Sequence, residues 1–182
     1  MAKRAKDNIT LGSGKAYIVE YTSGAALDVE TICVEENLLG HIKGGASLEY
    51  TQETYEEKDD LGYVSKIITT SEEALLKMGL LTWNGTTLQK LIDRCQTTEA
   101  SGKRTTKIGG AGNDQGGYFA ICFSHEDKTD GNFWILIKGR NTAGATLTFA
   151  TDEGTVIEPE FKAMPHDDAG TLVEFIEEIP TT

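Results

Sequence analysis

The residue types able to do chemistry are few in this chain, and their spacing does not gather them. Its three histidines, His41, His125 and His166, are scattered over 182 residues. His125-Glu126-Asp127 sets an imidazole beside two carboxylates, a combination suited to moving a proton. Consecutive strand side chains point to opposite faces, so the trio reads as the end of a strand. A small hydrolase built on these three residues is the enzymatic alternative. Asp127 to Asn132 is similar to the opening of a calcium loop. The position that needs the bidentate glutamate is Lys138, inside a strand pattern, so a hairpin turn is expected. His166-Asp167-Asp168 lies in a turn before Gly170, with no partner at ligand spacing.

Phosphate and nucleophile motifs fare no better. Gly109-Gly-Ala-Gly112 lacks the GxGxxG spacing and no helix follows it. Gly12-Ser13-Gly14 lacks the phosphate-loop lysine and serine, and no GxSxG elbow occurs. Cys33, Cys95 and Cys122 form no CxxC pair and no Cys/His metal set. Cys95 and Cys122 sit in apolar patterns and are expected to pack as small hydrophobes in a reducing compartment. The sequence therefore implies no catalytic residue, no metal and no cofactor.

Charge narrows the function further. Seventeen Lys and Arg against 29 Asp and Glu give a net charge of −12, which argues against gripping nucleic acid. Met1 to Lys6 is basic, but no apolar stretch follows it and no run reaches membrane-spanning length. Residues 1–14 read as an N-terminal arm and 15–182 as a single β domain. Twenty glycines with three prolines suit strands and turns.

The elements that must position any site are mostly strands. Lys15–Tyr21 is the first, and residues 22–37 read as irregular. A long hairpin is expected over about 43–83, turning at Glu56 to Gly62. Its first run alone would extend roughly 40–45 Å, about twice an ordinary strand. Ala46, Leu48 and Tyr50 share one face and Ser47, Glu49, Thr51 and Glu53 the other. In the return run Ala74, Leu76, Met78 and Leu80 share a face opposite Lys77. Ser71–Met78 can also be read as a helix capped by Ser71, but Gly79 and Leu80 to Trp83 favour a strand. Asn84-Gly85 reads as a turn. A helix is expected over Thr86–Cys95, with Leu88, Leu91, Ile92 and Cys95 on one face. After a polar loop, strands are expected at 104–108, 118–125, 132–140, 145–150, 156–164 and 172–179, a spacing typical of a β-sandwich or barrel.

With these elements in order, the chain resembles the major tail tube proteins of long-tailed, siphovirus-like bacteriophages or prophages. The resemblance spans about Ile9 to Ile179. It is carried by Leu11-Gly-Ser-Gly-Lys-Ala-Tyr17, Ile42-Lys-Gly-Gly-Ala-Ser-Leu-Glu-Tyr50, Gly79-Leu-Leu-Thr-Trp-Asn-Gly-Thr-Thr-Leu88 and Phe161-Lys-Ala-Met-Pro-His-Asp-Asp-Ala-Gly-Thr-Leu172. It implies a mainly β fold, a β-sandwich or barrel with one flanking α-helix and a long assembly hairpin. It implies a structural protein, not an enzyme. Copies form hexameric rings that stack into a hollow tube, through which DNA passes without specific binding. Tape-measure, tail-terminator and distal tail proteins are the implied partners. The implied location is the virion tail, assembled in the host bacterial cytoplasm. The inner tube of a contractile injection or secretion system is a related alternative, and a carbohydrate-binding β-sandwich a distant one.

Three groups of residues acquire expected roles. Glu49, Glu53 and Glu73 would face the lumen and repel phosphate over roughly a Debye length, about 8 Å at physiological salt. Glu56, Glu57, Lys58, Asp59 and Asp60, in the expected turn, would reach a neighbouring subunit or ring. Lys3, Arg4 and Lys6 would order against an acidic neighbour.

Overall fold

The computed structural model describes residues 9–179. The basic arm Lys3, Arg4 and Lys6 lies outside them. The chain is mainly β, with nine strands and two α-helices among the described residues: β1 Lys15–Glu20, α1 Val29–Ile32, β2 Leu38–Lys58, β3 Ser65–Leu80, α2 Gly85–Leu91, β4 Cys95–Ala100, β5 Lys103–Ile108, β6 Phe119–His125, β7 Phe133–Asn141, β8 Glu160–Met164 and β9 Val173–Glu177.

All the strand pairs are antiparallel. The large sheet runs β6-β1-β2-β3-β8-β7-β9, and β6 also pairs with β7. β6 therefore has both edges satisfied, by β1 on one side and β7 on the other. This pairing closes six strands into a ring and leaves β9 as an extra strand on β7.

Alternation explains what fills the ring. Ala16 and Ile18, Ala74 and Leu76, Ile121 and Phe123, Ile135 and Ile137, and Phe161 and Ala163 all point inward to one buried cluster. Leu88 and Leu91 of α2 pack on the same cluster, so the helix covers an apolar face that a short isolated helix could not maintain. The opposite face of β1, β6 and β7 carries a second cluster around Tyr17, Ala120, Cys122 and Leu136, covered by Leu27 and Ile32.

Several expected elements differ in extent. Ser71–Met78 is strand throughout, within β3. The Asn84-Gly85 turn is the start of α2: Asn84 Oδ1 accepts the Thr86 and Thr87 amides, and Thr87 Oγ1 accepts the Asn84 amide, a reciprocal cap. The helix ends at Leu91 instead of Cys95, because Ile92 already has extended backbone. Cys95 is still fully buried, as the first residue of β4. The polar loop before residue 104 contains β4, which forms a separate two-stranded ribbon with β5. No strand forms over 145–150. The expected strand over 156–164 survives only as β8, since Pro159 has no amide to give a ladder. Upstream of it, Ile157 keeps a single bridge to Leu80.

The cysteines also depart from expectation. Cys33, just after α1, is disulfide-bonded to Cys122 of β6, with Cα atoms 6.5 Å apart, and Cys95 is free. Cys122 thus pins α1 to the sheet, and no inference of a reducing compartment follows. The bond closes a span of 89 residues, worth about 4.6 kcal/mol on the chain-entropy account. Thermal unfolding in reductant is expected to shift down by about 10 °C. An unchanged midpoint, with the thiols shown to be free, would contradict this contribution.

Candidate assembly surface

β2 and β3 pair with each other far beyond the ring. β2 is tied to β1 only over Leu38–His41. β3 is tied to β8 only over Leu75–Lys77. From Ala46 to Lys58 the two strands form a ribbon about 40 Å long. Along it, no strand among the described residues pairs with the outer edge of β2, nor with that of β3 beyond Ala74.

Two irregularities aim the ribbon. Between the pairs Ile42–Leu80 and Ala46–Met78, β2 carries three residues against Gly79 alone. Gly44 and Gly45 adopt φ of +87° and +82° there, a conformation that side chains disfavour. A second register shift sits between Glu53 and Thr54, where Thr70 is the extra residue on β3.

The turn falls at 59–64, later than expected. Asp59 builds it: Oδ1 accepts the Val64 amide at 2.7 Å, Oδ2 the Leu61 amide at 3.3 Å, and its own carbonyl the Gly62 amide at 2.9 Å. Asp59 and Asp60 therefore belong to the turn. Glu56, Glu57 and Lys58 do not; they are strand residues of β2, with Glu57 opposite Lys66 and Lys58 opposite Ser65.

Register sorts the ribbon into two faces. Glu49, Glu53 and Glu73 share one face with Lys77, and β8 adds Glu160 and Lys162 to it. Lys77 Nζ lies 2.9 Å from Glu49 and 3.4 Å from Glu160. Lys162 pairs with Glu73, and Glu53 accepts from the Ser71 hydroxyl at 3.0 Å. With Glu57 and Lys66 opposite each other further out, this face is a ladder of five carboxylates and three lysines, net −2, rather than a bare acidic wall. The cross-strand lysines depend on register, which the sequence does not display.

The other face continues the inward face of the ring into solvent. Ala74 and Leu76 are fully buried, but Tyr50, opposite Ala74, is 53% exposed because the body of the protein ends there. Further out this face shows Ile67, while Tyr55 and Ile68, an opposed pair, lie on the Glu49 face. The turn shows Leu61, Tyr63 and Val64 at 76%, 83% and 70% exposure. Sequence reasoning treated this end as a charged turn and missed its apolar tip. The signal was available in Tyr63-Val64 and Ile67-Ile68.

The chemical candidates are spent on local structure. His125 is buried against Phe133, and its Nδ1 lies 2.8 Å from the Ser13 carbonyl oxygen. Glu126 pairs with Lys15 at 2.9 Å. Asp127 accepts the Thr129 and Asp130 amides in the expected hairpin turn. Lys138 donates to the Pro165 carbonyl. His166 is buried, and its Nε2 lies 2.9 Å from Glu174. Among the described residues, no three His, Cys, Asp or Glu are placed to hold a metal, and no helix is long and apolar enough to cross a membrane. No protein-family model matches the chain, and no curated protein matches it.

Titration reports on the ribbon itself. The hydrogen bond to Glu49 raises the Lys77 ammonium above its ordinary value, with Glu160 adding to the effect. Partial burial and then the Glu72 carboxylate raise Tyr50, and the hydrogen bond to Glu57 raises Tyr55. Groups with raised folded values stabilise fully below their ordinary values, 10.0 for tyrosine and 10.5 for lysine. That contribution is lost as the pH climbs through the folded values. The ribbon should therefore loosen as the pH climbs through those values. In spectrophotometric titration, Glu57→Gln should lower one tyrosine ionisation, whereas superimposable curves would contradict the Tyr55–Glu57 contact.

Proposed function

We propose that the chain is the structural subunit of a bacteriophage tail tube. Copies assemble into hexameric rings, and the rings stack into a hollow conduit for DNA. The single observation that carries this reading is the ribbon. Beyond the body, from Tyr50 to Lys58, it projects about 30 Å with open edges and exposed apolar side chains. An isolated two-stranded hairpin is marginal in water, and its free edges invite pairing with another chain. Identical copies arranged around a ring satisfy those edges at every junction, as closure does in a barrel.

In this reading, the six closed strands are the tube protein's barrel and α2 its flanking helix. The face bearing Glu49, Glu53 and Glu73 lines the lumen. Lys77 and Lys162 are held by carboxylates and Lys66 stands opposite Glu57, so the wall keeps a net negative surface toward duplex phosphates. Tape-measure, tail-terminator and distal tail proteins meet the assembled tube in the virion tail. The tip residues dock on a neighbouring subunit or ring.

Negative-stain electron microscopy of concentrated protein is expected to show hollow tubes or six-fold rings; a persistent monomer would overturn the reading. The triple variant Leu61→Ser, Tyr63→Ser, Val64→Ser should abolish tubes. Its unfolding free energy should change by only about 0.5 kcal/mol per site, because these side chains are exposed. Tubes carrying Glu49→Lys, Glu53→Lys and Glu73→Lys should retain linear duplex DNA on co-sedimentation, while wild-type tubes release it. Equal retention would remove the lumen assignment.

A further inference from the structure

The ribbon face that bears Tyr50, Glu56, Ile67 and Glu72 needs a cover, and the β4–β5 ribbon has the properties of one. Thr97 Oγ1 donates to the Gly85 carbonyl at 2.9 Å and lies 3.1 Å from Thr106 Oγ1. This anchors one face of the β4–β5 ribbon to the start of α2. The opposite face presents Gln96, Thr98 and Ala100 beside Lys107, Thr105 and Lys103, all exposed. It is flat and polar, and its only charges are two lysines.

Charge singles this element out. The chain carries −12, yet residues 95–108 hold Lys103, Arg104 and Lys107 against Glu99 alone, net +2. Glu99 is committed to Arg104. Lys103 and Lys107 make no ion pair among the described residues. The β2–β3 ribbon is the opposite: residues 51–73 hold seven carboxylates against Lys58 and Lys66, net −5, and on the face in question Glu56 and Glu72 stand with Lys58, which lies 3.0 Å from Glu56.

Spacing agrees with charge. Lys103 and Lys107 are four positions apart on one strand, about 14 Å. Glu72 stands opposite Gln52, four positions from Glu56 on the same face, so these two carboxylates are also separated by about 14 Å. Ile67 stands directly opposite Glu56, and Tyr50 shares the face. The Thr98 and Thr105 side chains are small enough to lie flat over that apolar surface.

We propose that the β4–β5 ribbon is the acceptor for the β2–β3 ribbon of a second copy of this chain, with Lys103 and Lys107 paired to Glu56 and Glu72. The inference rests on the self-assembly reading and names its contact. The two ribbons stack face to face, which leaves the Glu49, Glu53 and Glu73 face open.

The test is a charge exchange in the full-length protein, read by sedimentation and electron microscopy. Wild type sets the concentration at which polymer appears. Lys103→Glu with Lys107→Glu should raise that concentration by at least about tenfold, as charge reversal turns attraction into like-charge repulsion. Glu56→Lys with Glu72→Lys should do the same. Combining all four substitutions should restore assembly. Unchanged melting midpoints in each pair would show that the monomer fold is intact. If wild type forms tubes and either charge-reversed pair assembles equally well, the ribbon contact is overturned and the tube reading stands. Failure of the four-fold variant to recover also overturns the contact. If wild type never polymerises, both readings fall.

Discussion

Every backbone N–H and C=O in a strand needs a partner, and the β2–β3 ribbon cannot supply its own along either outer edge. The rest of the structure is arranged around that deficit. The body is self-sufficient: β6 meets both β1 and β7, so six strands close without help from the ribbon. The inward cluster from Ala16 to Ala163 lies inside the closed ring, and α2 packs on it. Nothing in that core demands a 21-residue β2. The extra length has a cost in exposed edges and apolar surface, a cost that pairing with a further chain would offset.

The base of the ribbon is built for aim as well as support. Leu76, Met78 and Leu80 are core residues and Leu75 to Lys77 pair with β8, so β3 enters the ribbon from a fixed platform. The Gly44-Gly45 bulge then sets its direction, because two consecutive positive φ angles turn β2 against Gly79. The Cys33–Cys122 bond holds α1 on the opposite side of the sheet. Platform, bulge and bond together make the exposed part project from a body that stays put.

Much of this was legible from residue order. The period-two pattern of Ala46, Leu48, Tyr50 and of Ala74, Leu76, Met78 identifies both ribbon strands and their faces, and β6 and β7 show themselves as apolar runs. The helix was legible in type but not in length, since Ile92 leaves it before Cys95. What depends on contacts between distant segments was not legible. Ring closure through β6, the Cys33–Cys122 bond and the lysine ladder of Lys77 and Lys162 all arise from register or tertiary approach. Pro159 and the irregular chain before it broke a strand that composition alone suggested. For the candidate site, Glu49, Glu53 and Glu73 do share a face, but Glu56, Glu57 and Lys58 moved from turn to strand. The apolar tip was concealed by the acids around it.

The central claim is that the ribbon's free edges are completed by other copies of the chain. Hydrogen exchange measured across a concentration series tests it directly. Amides of Ala46–Lys58 and Ser65–Ala74 that face outward should exchange rapidly in dilute protein. They should become protected as concentration rises, while amides of β6 and β7 stay protected throughout. Outward-facing ribbon amides that exchange at the same rate at every concentration, with the body unchanged, would contradict the account.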